Sequence, residues 1–289
     1  MSLKEKIQEL SAELLPEIIE IRRYLHMHPE LSFQEFETSK YIKSVLFNWK
    51  IPFHDGIADT GIVVLLKGKN PEKSCTALRT DFDALPIQEE NKVEYCSKNT
   101  GVMHACGHDA HTASLMGALK ILHAIKSEWE GSIKFIFQPA EERLPGGAKQ
   151  MIAEGVLENP KVHNMFGQHV FPELQVGKVG FKAGMYMAST DELHITIKGK
   201  GGHAALPEKN KNPIKVASKL ISELYDYFDK EKETRSVFSI GFIKGNGSTN
   251  VVPDKVKMMG TLRAMDEKWR ENAHDKMLNV AEELAKKYH

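Results

Sequence analysis

Short runs typical of β-strands alternate with helical runs between residues 61 and 170, and this alternation limits the fold more than any other feature. The helical runs are at 111–127, where leucines recur near helical spacing, and at 146–157. The strand-like runs are GIVVLLKG (61–68), CTALRTD (75–81), SIKFIFQ (132–138) and NMFGQHV (164–170). Such alternation predicts the α/β fold class, with a mostly parallel sheet flanked by helices on both faces.

The first fifty residues are predicted to be helical. Pro29 ends one helix, and Ser32 with Glu35 in SFQE matches a capping box that would begin the next.

The pattern changes after about residue 180. DELHITIKGKG (191–201) alternates like a half-buried strand, and Asn212 with Pro213 begins a helix that runs through Phe228. Two strands and a final helix follow. This β-α-β-β-α order is one strand short of a ferredoxin-like unit. We therefore predict two domains, 1–182 and 183–289, of which the second is a small α+β domain lacking its last strand.

Bulk composition excludes several classes of protein. Lys plus Arg and Asp plus Glu both number 39, so the formal net charge is zero, which argues against nucleic acid and against electrostatic membrane attachment. No apolar run approaches the roughly 18 residues of a membrane span. The charged N-terminus carries no apolar signal core, and three cysteines are too few for a disulfide scaffold. These observations predict a cytoplasmic protein.

Chemically reactive side chains follow the predicted strands. In an open α/β sheet, ligands bind beyond the carboxyl ends of the strands. Segments remote in sequence are therefore expected to meet at one edge of the sheet. The residues concerned are Asp81 and Asp83 after the second strand, Cys106 and His108 before the helix, Glu141 and Glu142 after the third strand, and His169 in the fourth.

Thiolate, imidazole and carboxylate together suit zinc or a neighbouring divalent transition metal. Of the paired carboxylates at 141 and 142, one can bind metal while the other handles protons. Asp109 and His111 leave two interpretations open: either could orient a metal ligand, or His111 could simply enter the helix. Lone histidines such as His26 are assigned to ordinary structural roles. The glycine-rich GKGGHAALP (199–207) matches no phosphate-binding pattern, so a phosphate-binding protein is disfavoured.

Six motifs occur in a fixed order: RTDFDALP (79–86), GVMHACGHDAH (101–111), FQPAEE (137–142), GQHV (167–170), GKGGHAALP (199–207) and NVVPD (250–254). Together they resemble the dinuclear-metal N-acyl-amino-acid amidohydrolases of the aminoacylase and zinc-carboxypeptidase superfamily. This family includes hippurate hydrolases, N-acetyldiaminopimelate deacetylases and auxin-conjugate hydrolases. The resemblance implies a zinc-exopeptidase-like catalytic domain at 1–182 and a lid and dimerisation domain at 183–289. It also implies two divalent metal ions, with zinc preferred and manganese, cobalt or nickel as alternatives.

The same resemblance implies residue roles. Glu141 is similar to the general base, and Asp81 to an aspartate that lies behind the ligands and orients them. His203 is similar to a lid histidine that polarises the substrate carbonyl, and Asn250 to a lid residue near the substrate. The implied metal ligands are Cys106, His108, Glu142 and His169. The implied reaction is hydrolysis of the amide bond of a small N-acylated amino acid or peptide, by a homodimer joined through the lid.

Members of this family are longer, and they deliver one more histidine ligand after the lid. The sequence therefore predicts an incomplete catalytic domain. The alternative function is a truncated, catalytically impaired metal-binding or dimerisation module derived from such an enzyme.

Overall fold

A computed structural model describes residues 1–230 and 235–288. The chain divides into two compact units, Met1–Gln175 and Val176–His289, so residues 176–182 belong with the second unit rather than the first. Among the described residues, no helix combines the length and apolarity needed to cross a bilayer.

The first unit is an α/β layer structure, which confirms the predicted fold class. Its five-stranded sheet has the order β1-β2-β4-β3-β5. β3 pairs in parallel with both β4 and β5, whereas β1 and β2 run antiparallel to their neighbours. The elements are α1 (Leu3–Met27), α2 (Phe36–Asn48), β1 (His54–Ile57), β2 (Gly61–Lys67), β3 (Cys75–Asp81), α3 (His108–Ala124), β4 (Ser132–Gln138), α4 (Gly147–Ala153) and β5 (Asn164–Gly167).

Side-chain alternation along β2 and β4 divides the core between the two faces of this sheet. Val64 and Phe135 point into a cluster formed with α1, α2 and α3. Val63 and Ile136, one residue away, point into a second cluster with Met151 of α4. Because successive strand residues face opposite sides, the sheet is covered by helices on both faces, as the sequence predicts.

The predicted capping box at Ser32 and Glu35 is wrong. α2 begins at Phe36, and no side chain caps it from position 35. Glu30 instead accepts hydrogen bonds from the backbone N–H and the hydroxyl of Thr38. Ser32 and Glu35 are buried and bond to residues far away in sequence, so tertiary contacts replace the local motif.

The main sheet and helices of the second unit follow the β-α-β-β-α order predicted from the sequence, and two short strands, β7 and β9, are additional to it. Its three-stranded antiparallel sheet has the order β6-β10-β8, and a short ribbon pairs β7 with β9. Leu220 and Leu224 of α5 and Val280 of α6 pack on the sheet residues Val256 and Met258. The elements are β6 (Ser189–Lys198), β7 (Gly202–His203), α5 (Pro213–Lys230), β8 (Ser236–Gly245), β9 (Val251–Val252), β10 (Lys255–Ala264) and α6 (Glu267–Tyr288).

Candidate metal centre

Three segments, 106–108, 141–142 and 169, meet where the parallel strands β3, β4 and β5 end. Sγ of Cys106 lies 3.3 Å from Nε2 of His169, although 63 residues separate them. Nε2 of His108 lies 3.8 Å from Oε1 of Glu142. We call Cys106, His108, Glu141, Glu142 and His169 the rim cluster.

His108 presents a free ring nitrogen to the rim cluster. The ring is buried, and Nδ1 lies 2.9 Å from the carbonyl oxygen of Asp83 and 3.2 Å from its carboxylate. A carbonyl oxygen can only accept, so Nδ1 carries the proton. In the neutral ring Nε2 then keeps its lone pair, and it is buried without a hydrogen-bond partner. A histidine held in this way has the tautomer that metal ligation requires.

Asp83 also positions Glu142. Its Oδ2 accepts hydrogen bonds from the backbone N–H of Glu142, at 2.9 Å, and from the hydroxyl of Ser32, at 2.7 Å. Oε1 of Glu142 is buried and has no hydrogen-bond partner. The sequence marks Asp83 only as an acidic residue near a strand end; its function in joining His108 to Glu142 depends on contacts across 59 residues.

Glu35 holds the turn that carries the two glutamates. Its carboxylate accepts the backbone N–H of Ala140, at 2.8 Å, and the hydroxyl of Thr60. Ala140 has a positive φ of 49°, a strained conformation for alanine. Burial raises the pKa of Glu35. The sequence gives no signal for this contact, because the capping-box pattern offers a local explanation for the same residue.

Asp81 lies behind the rim cluster. Its Oδ1 accepts from Nδ1 of His111, at 2.8 Å, and its Oδ2 accepts from Arg79, at 2.7 Å. Burial alone would raise the pKa of Asp81, but the hydrogen bond from His111 and the charge of Arg79 hold it well below its ordinary range. Oδ1 also lies 3.8 Å from the free Nε2 of His108.

Asp109 faces away from these residues, toward α1. Its Oδ2 lies 2.8 Å from Nδ1 of His26 and 2.7 Å from Nε of Arg22. Nε2 of His26 in turn lies 3.1 Å from the carboxylate of Glu89. Asp109 therefore anchors the first turn of α3, which carries His108, to α1.

Glu141 is the more exposed of the two carboxylates of the rim cluster. Partial desolvation of its carboxyl, and then the charge of Glu142, raise its pKa. A carboxylate with a raised pKa beside a set of ligand atoms suits proton transfer.

The donor set fits divalent metal ions. Desolvation and the charges of Glu142, Glu141 and Asp81 raise the pKa of the Cys106 thiol to about 12, so the pocket disfavours further negative charge unless a cation is bound. Nδ1 of His169 lies 2.7 Å from the carbonyl of Val170, so Nε2 is left as the acceptor that faces the Cys106 thiol. The described residues contain three groups whose donor atoms lie within 4.8 Å of one another inside each group, and all three groups include His108. They are Cys106–His108–His169, Asp81–His108–His111 and His108–Glu141–Glu142.

The two candidate residues of the second unit lie side by side on the β7–β9 ribbon. His203 pairs with Val251, and the backbone N–H of Ala204 donates to the carbonyl of Asn250, at 2.9 Å. Nδ1 of His203 accepts the N–H of Ala205, at 3.1 Å, so Nε2 carries the proton of the neutral ring. Both His203 and Asn250 are exposed.

Comparison with known proteins agrees with this chemistry. A model of "Peptidase family M20/M25/M40" matches residues 77–287. The N-acetylcysteine deacetylase of Bacillus subtilis is 42% identical over 94% of this chain and 71% of its own length. The N-acyl-L-amino acid amidohydrolase of Geobacillus stearothermophilus is 39% identical over 92% and 72%.

Among solved structures, a Bacillus subtilis protein described as a dinuclear metal-binding peptidase of family M20 superposes with a TM-score of 0.78 at 39% identity. The match covers 97% of this chain and 72% of that one. These matches confirm the predicted class of metal-dependent hydrolase and do not favour the alternative of a non-catalytic module. The chain therefore belongs to peptidase family M20/M25/M40.

Proposed function

We propose that this protein hydrolyses the amide bond of N-acyl amino acids or small peptides with two divalent ions, preferably zinc, held by Cys106, His108, Glu142 and His169. The observation that carries the proposal is the pair of buried, unpartnered donor atoms, Nε2 of His108 and Oε1 of Glu142, 3.8 Å apart beside the unused carboxylate of Glu141. Buried polar atoms without partners each need an explanation, and these two lie within a group of ligand-type side chains, which supports a bound cation.

Amide hydrolysis needs a nucleophile, a polarised carbonyl and a protonated leaving nitrogen. Divalent ions bound at the rim cluster would lower the pKa of water and polarise the substrate carbonyl. Glu141 would take a proton from the attacking water and pass it to the leaving nitrogen. The protonated Nε2 of His203 would donate to the carbonyl oxygen as negative charge develops there.

The two units would divide this work. We assign metal binding and proton transfer to the first unit, and substrate contact through His203 and Asn250, with homodimer formation, to the second. The neutral charge balance and the small number of cysteines support a cytoplasmic location.

The test is a metal-reconstitution assay on the whole chain. The protein is stripped with a chelator, reloaded with zinc, manganese, cobalt or nickel, and assayed on N-acetyl and N-benzoyl amino acids. We expect turnover that disappears with the metal and returns on reloading. Folded protein that binds metal but hydrolyses neither substrate class with any of the four ions would contradict the proposal.

A further inference from the structure

His111 lies one turn after His108 on α3, and both of its ring nitrogens are engaged. Nδ1 lies 2.8 Å from Oδ1 of Asp81, and Nε2 accepts the backbone N–H of Val170, at 2.9 Å. The amide nitrogen can only donate, so Nε2 has no proton, and Nδ1 donates to Asp81. The ring is buried, and its centroid lies 4.5 Å from that of the His169 ring.

Val170 directly follows His169, and both of its backbone polar groups are fixed. Its N–H is held by His111, and its carbonyl lies 2.7 Å from Nδ1 of His169. The ring of His169 is exposed, in contrast to the buried ring of His108. If the hydrogen bond from Val170 to His111 were lost, the His169 ring would lose the support that keeps its Nε2 3.3 Å from Sγ of Cys106.

We propose that His111 is a positioning residue for His169: through the N–H of Val170 it sets the orientation in which His169 binds metal. Arg79 and Asp81 complete the support, since Arg79 fixes the carboxylate that orients the His111 ring. The rival assignment is that His111 binds metal itself, together with Asp81 and His108. It requires His111 to give up its contact with Val170. The proposal rests on the metal-dependent function given above.

Two substitutions separate the contacts of the ring. His111→Asn places an amide N–H where Nδ1 is and keeps the donor to Asp81, but it removes the acceptor for Val170. His111→Gln places its amide oxygen near Nε2 and keeps that acceptor, but it loses the donor to Asp81.

Titration of the stripped protein with zinc measures affinity and the number of ions bound, without any substrate. Melting of the metal-free variants checks folding.

We expect His111→Asn to bind zinc about 10- to 100-fold more weakly, the range for residues that orient ligands, and His111→Gln to stay close to the wild-type affinity. In a His169→Ala background the effect of His111→Asn should vanish, because a residue that acts through His169 has nothing left to position. A purely structural effect would persist there.

Loss of one bound ion in both variants would make His111 a ligand and overturn the proposal. Equal weakening of both variants, an unchanged affinity in both, or an Asn effect that survives in His169→Ala would also overturn it. If the wild-type chain binds zinc yet hydrolyses no substrate, the proposed function fails, but the zinc titrations still decide the role of His111.

Discussion

The rim cluster of the first unit and the β7–β9 ribbon of the second hold their reactive groups in opposite ways. In the rim cluster, side chains from distant segments orient the donors, as Asp83 does for His108 and Glu142. On the ribbon, groups two residues away orient the side chains: the backbone N–H of Ala205 bonds to His203, and the hydroxyl of Ser248 bonds to Asn250, and both side chains are exposed.

This difference separates what each region can do. The rim cluster concentrates carboxylates around Cys106 and leaves buried atoms unpartnered, which is costly unless a cation binds. The side chains of His203 and Asn250 are exposed to solvent, so they need no bound cation and can contact a substrate. Changes in the rim cluster should therefore alter metal binding, and changes on the ribbon should alter turnover alone.

The largest effect is expected at Glu141, a rim-cluster residue whose substitution should alter turnover and not metal binding. Glu141→Gln should lower kcat by about 10²–10⁴, because it removes the general base, while the zinc content stays unchanged. The activity assay measures the fall in kcat, and metal analysis of the purified variant measures its zinc content. The matched control is Glu142→Gln, which should lower zinc affinity itself. Zinc loss in Glu141→Gln would make Glu141 a ligand instead of the base.

The second effect tests the ribbon. His203→Ala should lower kcat by about 10²–10³, the usual cost of removing one donor to a developing oxyanion. Zinc affinity should match the wild type, since His203 is exposed on the second unit. His194→Ala, which removes another exposed histidine of that unit, serves as the control and should leave kcat unchanged. A fall in zinc affinity in His203→Ala would show that the ribbon also contributes to metal binding.

The third effect concerns the close approach of two segments in the rim cluster. Gly107 has φ +83°, and a Cβ there would lie 2.4 Å from Cγ2 of Val170. Gly107→Ala should push the His169 loop away from Cys106 and weaken zinc binding about 10- to 100-fold. Gly101 has a similar φ of +77° but open space around it, so Gly101→Ala carries the same backbone strain without the contact. Equal zinc affinity in the two variants would show that the approach of Val170 does not matter.

Sequence patterns predict the parts of this molecule that depend on local periodicity. The strands at 75–81 and 132–138 have the predicted bounds, because their residues pack on both faces of the sheet. The same reasoning places Cys106, His108, Glu142 and His169 at one edge of the sheet, and the structure brings these residues together there.

The residues that support the rim cluster could not be predicted, because their partners are remote in sequence. Glu35 binds Ala140 across 105 residues, and Ser32 binds Asp83 across 51, whereas the sequence offers both a local cap. His111 faces Val170 across 59 residues, and at the sequence level its two interpretations are equally open. Position in a pattern predicts which face a residue occupies, but not which distant group completes its hydrogen bonds.

The smallest expected effect lies behind the rim cluster, at His26, which joins α1 to α3. Its pKa is raised by the hydrogen bond with Asp109, against the effect of burial, and further by Glu89; the nearby Arg22 opposes this. A folded-state pKa above the ordinary value of 6.5 stabilises the fold fully below pH 6.5, and this stabilisation is lost as the pH rises through the raised value.

We expect wild-type protein to exceed His26→Gln in unfolding free energy by about 1 kcal/mol at low pH, the scale of one hydrogen bond, and the gap to narrow as the pH rises from 6.5 through the raised pKa of His26. Urea unfolding of both metal-free proteins across that range measures the gap. The difference between the two proteins removes the titration of other histidines, which both share. A constant gap over the whole range would mean that His26 contributes through packing and not through its charge, and that α3 is anchored to α1 independently of the pH.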